Sequence, residues 1–330
     1  MDKISEITEA QKAKMPEYVQ KWTEIGRSTA PMDFEKTVEL IMLTMNKVNA
    51  ENTWDDAPAI PPERIFRCSS PILAQQAGRQ IATEMGYPEE EVDGYWPAQV
   101  YGSSAARFDF ILNEMGVIAR LDASQKKAWE ILEVFAQVCG GVYFGPNFAI
   151  VADRPAVLKL MQLGNTHVLH CPDGPAIAWG RDADGNYDPN DPYGSALYYW
   201  QGTEVPCQWV VDRPTDKEGL RALAQEILQD PNAERRTAGC ELIGWANILE
   251  ALEPRVLDKH ENPMFGELVE VDFPRREGGG TEPVKFLVAM CGTGRRIAFP
   301  AMPEATTALE AGAMSYRLTV EEYSRLKYRS

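Results

Sequence analysis

The segment THVLHCPDGPAIAWG (166–180) contains the side chains of this sequence that are best suited to acid–base chemistry. A histidine whose ring is oriented by a nearby carboxylate can act as a general base, and His170 stands three residues before Asp173. Cys171 would be a nucleophile for this pair, but neighbouring residues of a strand face opposite ways. The alternative is structural. Asp173 then accepts backbone N–H groups in a turn shaped by Gly-Pro, while His170 bonds across a hairpin.

The loop RDADGNYDPNDPYG (181–194) resembles a calcium-binding loop in its spacing of side-chain oxygens. Such oxygens recur at every second position in Asp182, Asp184, Asn186 and Asp188. The glycine stands at the fourth position instead of the sixth, and no glutamate closes the loop, so a solvated acidic loop is the alternative. No glycine-rich phosphate loop follows a strand, so the sequence predicts no bound nucleotide or other cofactor, with calcium as the one alternative. His167 and His170 do not predict a shared metal, since they would lie on opposite faces of a strand.

Two arginines and a tryptophan are candidates for binding a substrate. Arg235 and Arg236 belong to the predicted helix NAERRTAGCELIGWANIL (232–249), and a planar guanidinium suits a carboxylate or phosphate group. Structural ion pairing, for example with Glu241, is the alternative role. Trp200 is a candidate wall for a ligand, and burial in the core is the alternative for so large a ring.

The elements that must position these residues change in type along the chain. In MDFEKTVELIMLTMNKVN (32–49) apolar residues recur at helical spacing and Asp33 is a suitable N-cap. Two further helices are predicted after Pro71 and after Ser124, so the first third, about 1–140, is helical. The proline-rich stretch 52–71 between them favours a loop or short strand.

From about residue 141 the pattern indicates strands. We expect 166–180 and 195–205 to pair as one antiparallel hairpin with 181–194 as its tip. The segment 266–300 predicts a three-stranded meander with glycine-rich turns, and helices begin at the capping boxes Thr307/Glu310 and Thr319/Glu322. Because these connections are hairpins, the predicted class is α+β. One mixed domain over 1–330 is expected, with the hairpin and meander in about 141–330.

The composition limits the kinds of partner. Lys and Arg total 33 against 49 Asp and Glu, so the formal net charge is −16 and repels phosphate backbones and anionic membranes. We expect no nucleic-acid partner and no membrane association. The segment 1–18 lacks the apolar core of a secretion signal, and no apolar run is long enough to span a bilayer, so the expected location is cytoplasmic. The six cysteines stand far apart and are expected to be reduced thiols, mostly in the core.

The sequence resembles an uncharacterised bacterial domain-of-unknown-function family whose members carry a Leu-His-x-x-Asp-Gly-Pro-Ala segment, here Leu169 to Ala176. The resemblance continues through LYYWQGTEVP (197–206), through 232–241 and into RIAFPAMPEATTALEAGAMSY (296–316), and upstream it includes 21–41 and Cys-Ser-Ser-Pro at 68–71. It thus spans roughly residues 20 to 318. The family implies no particular reaction. Members close the hairpin with a short turn, whereas this chain inserts the 181–194 loop.

Two classes of function follow. The first is an acidic intracellular protein that binds or regulates an unidentified partner, either a protein or a small molecule, and it rests on the net charge and the scarcity of histidine. The second is an enzyme acting on a small anionic substrate. In that case His170 and Asp173 form the acid–base pair and Arg235 or Arg236 holds the anionic group.

Overall fold

The structure is a computed structural model that describes residues 7–50, 60–86, 95–97, 102–145, 147–191, 194–275, 280–290 and 296–326. The chain divides into two compact units. Unit 1 comprises Met1–Lys159 and Ile177–Ala196, and unit 2 comprises Leu160–Ala176 and Leu197–Ser330. Helices stand beside mostly antiparallel strands, so the α+β class predicted from the sequence is confirmed. The expectation of a single mixed domain over 1–330 stays a prediction.

Unit 1 begins with helices, as the apolar spacing predicts. They are α1 (Glu9–Arg27), α2 (Phe34–Ala50), α3 (Pro71–Glu84), α4 (Gly102–Asp109) and α5 (Ala123–Val138). Asp33 caps α2 as predicted, because its Oδ1 accepts the N–H of Lys36 at 3.1 Å. The third predicted helix starts earlier than Ser124, since Asp122 forms a capping box with Gln125.

Unit 1 also contains a four-stranded sheet that pairs segments far apart in the sequence. Its strands are β1 (Ile65–Cys68), β2 (Tyr95–Pro97), β3 (Gly141–Phe144) and β4 (Ala149–Ala152), in the order β1-β4-β3-β2. β1 runs parallel to β4 with Cys68 opposite Ala152, and the other pairs are antiparallel. The parallel pair was not expected from the sequence, which showed only hairpin connections. Unit 1 also contains β5 (Val157–Leu158), paired antiparallel with β8 (Ile177–Trp179).

Unit 2 combines two hairpins, helices and a meander. β6 (Leu160–Leu163) pairs with β7 (Thr166–Leu169), and β9 (Ser195–Trp200), which enters from unit 1, pairs with β10 (Thr203–Val205). The helices are α6 (Lys217–Gln229), α7 (Ala233–Ile243), α8 (Trp245–Ala251), α9 (Ala308–Ser315) and α10 (Val320–Ser324). The sheet contains β11 (Arg255–Lys259), β12 (Glu267–Pro274), β13 (Thr281–Met290) and β14 (Arg296–Pro300), in chain order.

Several sequence predictions are confirmed or refined here. The capping boxes Thr307/Glu310 and Thr319/Glu322 are present. The meander has its three strands, and β11 adds a fourth that was not predicted. The helix predicted over 232–249 is wrong in its continuity, because Gly244 at φ +86° separates α7 from α8. Most of the two glycine-rich turns, 276–279 and 291–295, lies outside the described residues.

The predicted hairpin of 166–180 with 195–205 is present in part. The backbone N–H of Cys171 donates to Tyr199 O at 3.1 Å, and that of Gly202 donates to Leu169 O at 2.9 Å, so the two segments lie side by side. β7 and β10, however, take β6 and β9 as their strand partners. Two-residue turns join both of these pairs, and such local hairpins form more readily than one long pairing.

Among the described helices, none is both long and apolar enough to cross a membrane.

Candidate functional site

Unit 1 contains an open cleft of about 1070 Å³ with three kinds of wall. One wall is a face of α3, where Leu73, Gln76, Ala77 and Gln80 recur at helical spacing. A second part of the lining is the segment 180–185 together with Asp191, from the acidic loop. The end of β1 with Ser69, Asp153 after β4, and the pair 31–32 before α2 complete the lining.

The cleft lies where the carboxyl ends of two parallel strands meet. The N–H of Asp153, just after β4, donates to the carbonyl of Cys68 at the end of β1 at 3.0 Å. Ser69 and Ser70 then lead into α3, and the Ser70 hydroxyl accepts the N–H of Leu73 as N-cap. In sheets with parallel strands, ligands bind at this end, because the loops that follow neighbouring strands come together there.

Asp153 is the central polar residue of this arrangement, with only 4% of its surface exposed. Its Oδ1 accepts the backbone N–H groups of Met32 at 2.8 Å and Arg154 at 2.7 Å. Its Oδ2 lies 3.2 Å from Nη2 of Arg67 and 3.6 Å from Nε of Arg181. Through these contacts Asp153 links the end of β1, the segment after β4 and the acidic loop.

Arg181 fixes the acidic loop to the rest of unit 1. Its side chain is 10% exposed. Nη1 donates to Gly185 O at 2.7 Å, and Nη2 donates to Thr29 O at 2.6 Å and to Pro155 O at 3.1 Å. Nη1 and Nη2 thus donate to backbone carbonyls, while the buried Nε lies 3.6 Å from Asp153 Oδ2 and has no hydrogen-bond partner among the described residues.

Arg154, the residue after Asp153, is buried within unit 1. Nη1 donates to the carbonyls of Ile25 and Ser28 at the end of α1, and Nη2 donates to Ala136 O in the last turn of α5. Burial lowers the pKa of this guanidinium, while the neighbouring Asp153 opposes the effect. Cations at helix C-termini are stabilised by the helix dipoles and by the free carbonyls, so Arg154 joins the two helix ends.

The carboxylates of the loop organise its turns. Asp182 Oδ1 accepts the N–H groups of Asp184 at 3.0 Å and Asn186 at 2.9 Å, and Asp188 Oδ1 accepts that of Asn190 at 2.9 Å. Within the residues that the structure describes, no three His, Cys, Asp or Glu side chains are grouped so that they could hold a metal ion. The calcium loop of Asp182, Asp184, Asn186 and Asp188 stays a prediction.

The charge of the lining is negative overall. Four aspartates (Asp153, Asp182, Asp184 and Asp191) face two arginines (Arg67 and Arg181), which leaves a formal difference of two negative charges. Because both arginines contact Asp153, the excess lies on the loop side of the cleft.

Cys68 is the thiol of the cleft. Burial raises its pKa, although the backbone N–H groups of Ser70 and Ser69 act in the opposite direction. The thiol is therefore protonated at neutral pH and is a poor nucleophile there. The five described cysteines are unpaired, as expected for reduced thiols, and Cys139, Cys171 and Cys240 are buried. Cys291 lies outside the described residues.

The predicted acid–base residues lie in unit 2, and the structure gives each a separate partner. Nδ1 of His170 accepts the backbone N–H of Gln201 at 3.2 Å, which is the structural role considered for it. Asp173 Oδ1 accepts the thiol proton of Cys171 at 3.3 Å. Among the described contacts there is none between His170 and Asp173, so the acid–base pair stays a prediction without geometric support.

The predicted anion-binding arginines are paired within the protein. Nε of Arg235 donates to Asp230 Oδ2 at 2.6 Å and Nη2 to Oδ1 at 3.1 Å, which raises the pKa of the guanidinium through the hydrogen bond and the charge of Asp230. Arg236 is buried and donates to the carbonyls of Asp230 at 2.6 Å and Arg275 at 3.0 Å. This arrangement favours the structural alternative, although the partner of Arg235 is Asp230 and not Glu241.

Trp200 lines a pocket and also packs against the buried core of unit 2, so both alternatives stay open and its role in binding a ligand stays a prediction. Its Nε1 donates to Glu241 Oε2 at 3.0 Å, and it is one of the residues that line a pocket of about 280 Å³ in unit 2. The sequence interpretation missed Asp153 and Arg67, because their importance depends on the pairing of β1 with β4. The available signal was the Cys-Ser-Ser-Pro segment, in which Ser70 is the N-cap and Pro71 the first residue of α3.

Comparisons of the chain with protein-family models, curated proteins and solved structures find no match. The resemblance to a domain-of-unknown-function family therefore stays a prediction.

Proposed function

We propose that the protein is a binding protein whose cleft in unit 1 takes a basic ligand, such as an arginine- or lysine-containing segment of a protein partner. The observation that carries the proposal is the acidic loop wall, where Asp182 and Asp184 are exposed while Arg181 is directed to Asp153 and backbone carbonyls. A guanidinium or ammonium group between these carboxylates would form charge-assisted hydrogen bonds.

The other wall suits the same kind of ligand. Leu73 and Ala77 offer apolar surface to the stem of a long basic side chain, and Gln76 offers an amide group. The net charge of −16 also attracts cationic partners over a distance. An intracellular setting belongs to the proposal and is supported by the five unpaired cysteines.

The enzyme alternative has less support from the contacts. His170 uses Nδ1 to hold a backbone N–H, and the arginines that were to bind an anionic substrate donate to groups of the protein itself. The protonated Cys68 adds no nucleophile to the cleft. Binding is therefore the function that the geometry supports best.

Isothermal titration calorimetry of the full chain with tri-arginine tests the proposal, with tri-glutamate as the charge-reversed control. We expect a heat of binding for tri-arginine that weakens between about 0.05 and 0.5 M salt, because salt screens exposed charges, and no heat for tri-glutamate. Absence of heat at millimolar tri-arginine, or equal binding of both peptides, would contradict the proposal.

A further inference from the structure

Unit 2 contains a second, smaller pocket of about 280 Å³ that the proposed function does not use. One side is lined by Trp200 at the end of β9, Gln201 of the following turn and Thr203 of β10. On the other side is one face of α7, where Glu234, Thr237 and Glu241 follow each other at helical spacing. The pocket thus combines an aromatic ring with two carboxylates.

The aromatic wall is held in place from two directions. Trp200 Nε1 donates to Glu241 Oε2 at 3.0 Å. The ring of His170 meets the Trp200 ring at a centroid distance of 4.7 Å and an angle of 67°. His170 also accepts the N–H of Gln201, which adopts φ +48° in the two-residue turn after Trp200. His170 is therefore a positioning residue for this wall, since it holds both the ring and the turn that carries it.

The carboxylates of the pocket have no cationic partner among the described side chains. Glu234 and Glu241 are both exposed, and neither lies within ion-pair distance of a described lysine or arginine. The neighbouring Arg235 and Arg236 are directed to Asp230 and to backbone carbonyls. The negative charge at the mouth of the pocket therefore remains available to a ligand.

We propose that this pocket binds an organic ammonium ion of about the size of choline. An indole ring attracts a quaternary ammonium group through the negative potential of its face, and the two glutamates supply the opposite charge. The pocket is too small for a nucleotide or a drug-sized molecule, which need larger cavities. This site is independent of the cleft in unit 1, because every residue that forms it belongs to unit 2.

Choline chloride is the probe, and calorimetry of the full chain is the measurement. Its neutral isostere 3,3-dimethylbutan-1-ol has the same shape without the charge, so we expect it to bind at least about ten-fold more weakly. Trp200→Leu removes the aromatic ring and should lower the affinity for choline about ten-fold or more. The affinity of Trp200→Phe should lie between those of the unaltered protein and Trp200→Leu. Equal affinity for choline and the isostere, or no heat at millimolar choline, overturns the proposal.

Charge variants keep the test decisive if Trp200→Leu does not fold. Glu241→Gln retains an oxygen for the indole N–H but removes the charge, and should weaken choline by up to about five-fold. The matched control is Glu218→Gln, an exposed glutamate of α6 outside the pocket, which should bind as the unaltered protein does. Asp184→Asn in the cleft should also leave choline affinity unchanged. If Asp184→Asn weakens choline binding and Glu241→Gln does not, the choline binds in unit 1, and this result would overturn the proposed site.

Discussion

Nε of Arg181 lies 3.6 Å from the buried Oδ2 of Asp153, and this pair joins the acidic loop to the end of the parallel strands. The same guanidinium donates to the carbonyls of Gly185, Thr29 and Pro155. Loop position and strand pairing in unit 1 therefore depend on one another.

Replacement of Arg181 by methionine should destabilise the protein strongly. The variant leaves the buried Asp153 with one cation fewer and removes the donors to three backbone carbonyls, so we expect a loss of about 3–5 kcal/mol in the free energy of unfolding. Urea denaturation followed by circular dichroism measures it. Arg67→Met is the matched variant, because its side chain is 54% exposed and should cost less than about 1 kcal/mol. Equal costs for both variants would contradict the structural role of Arg181.

Replacement of Gly78 should destabilise the close contact between α3 and β3. A Cβ atom at this position of α3 would lie 2.3 Å from Cε1 of the fully buried Tyr143. Gly78→Ala should therefore destabilise the protein by about 1–3 kcal/mol through overpacking. Gly26→Ala in α1 is the control, since a Cβ there meets nothing within 4 Å and should stabilise the helix by about 0.5–1 kcal/mol. Thermal denaturation of both variants checks the opposite signs.

The free energy of unfolding should depend on pH through the carboxyl group of Asp109. Burial raises the pKa of this carboxyl, but hydrogen bonds from Lys21, Trp22 and Asn113 outweigh that effect and lower the pKa below its usual value. A carboxyl with a lowered folded-state pKa contributes stability above the unfolded-state pKa, about 3.9, and loses it as the pH falls through the folded-state value.

The isosteric variant Asp109→Asn measures this contribution. We expect it to be less stable by about 1.5–3 kcal/mol at pH 7, because the bonds to the charged oxygens are lost. The difference from the unaltered protein should shrink as the pH falls below about 4. A difference in the free energy of unfolding that stays constant from neutral to acidic pH would show that the carboxyl is not stabilised as described.

His170 should stabilise the protein through Nδ1, the nitrogen that accepts the N–H of Gln201. His170→Asn keeps an acceptor near Nδ1 for the N–H of Gln201, whereas His170→Leu leaves that N–H without one. We expect the leucine variant to be about 1 kcal/mol less stable than the asparagine variant in urea denaturation. Equal stability of the two would show that the bond to Gln201 contributes nothing.

Local signals made much of the fold predictable. The caps Asp33, Thr307 and Thr319 stand within three residues of the groups they bond, so short stretches of sequence specify where those helices begin. The break at Gly244 was missed, since a glycine inside an apolar helical pattern is compatible with both a continuous and a broken helix.

The candidate site was predictable only in pieces. The acidic loop 181–194 stood out in the sequence, but the cleft exists because Cys68 pairs beside Ala152, and such distant pairing has no local signature. For the same reason Asp153 was not singled out, although it is the residue on which Arg67 and Arg181 converge. His170 and Asp173 are close in the sequence, but His170 accepts a hydrogen bond from Gln201 and Asp173 accepts one from Cys171.

Binding of tri-arginine to a cleft variant tests the central claim most directly. Asp182→Asn combined with Asp184→Asn removes two charges from the loop wall while the asparagine oxygens can still accept the backbone N–H groups of the turn. The control combines Asp212→Asn with Asp272→Asn, two exposed aspartates of unit 2. We predict that calorimetry will show up to about ten-fold weaker binding for the cleft variant and unchanged binding for the control. Equal affinities of the two variants would contradict a basic ligand in the cleft of unit 1.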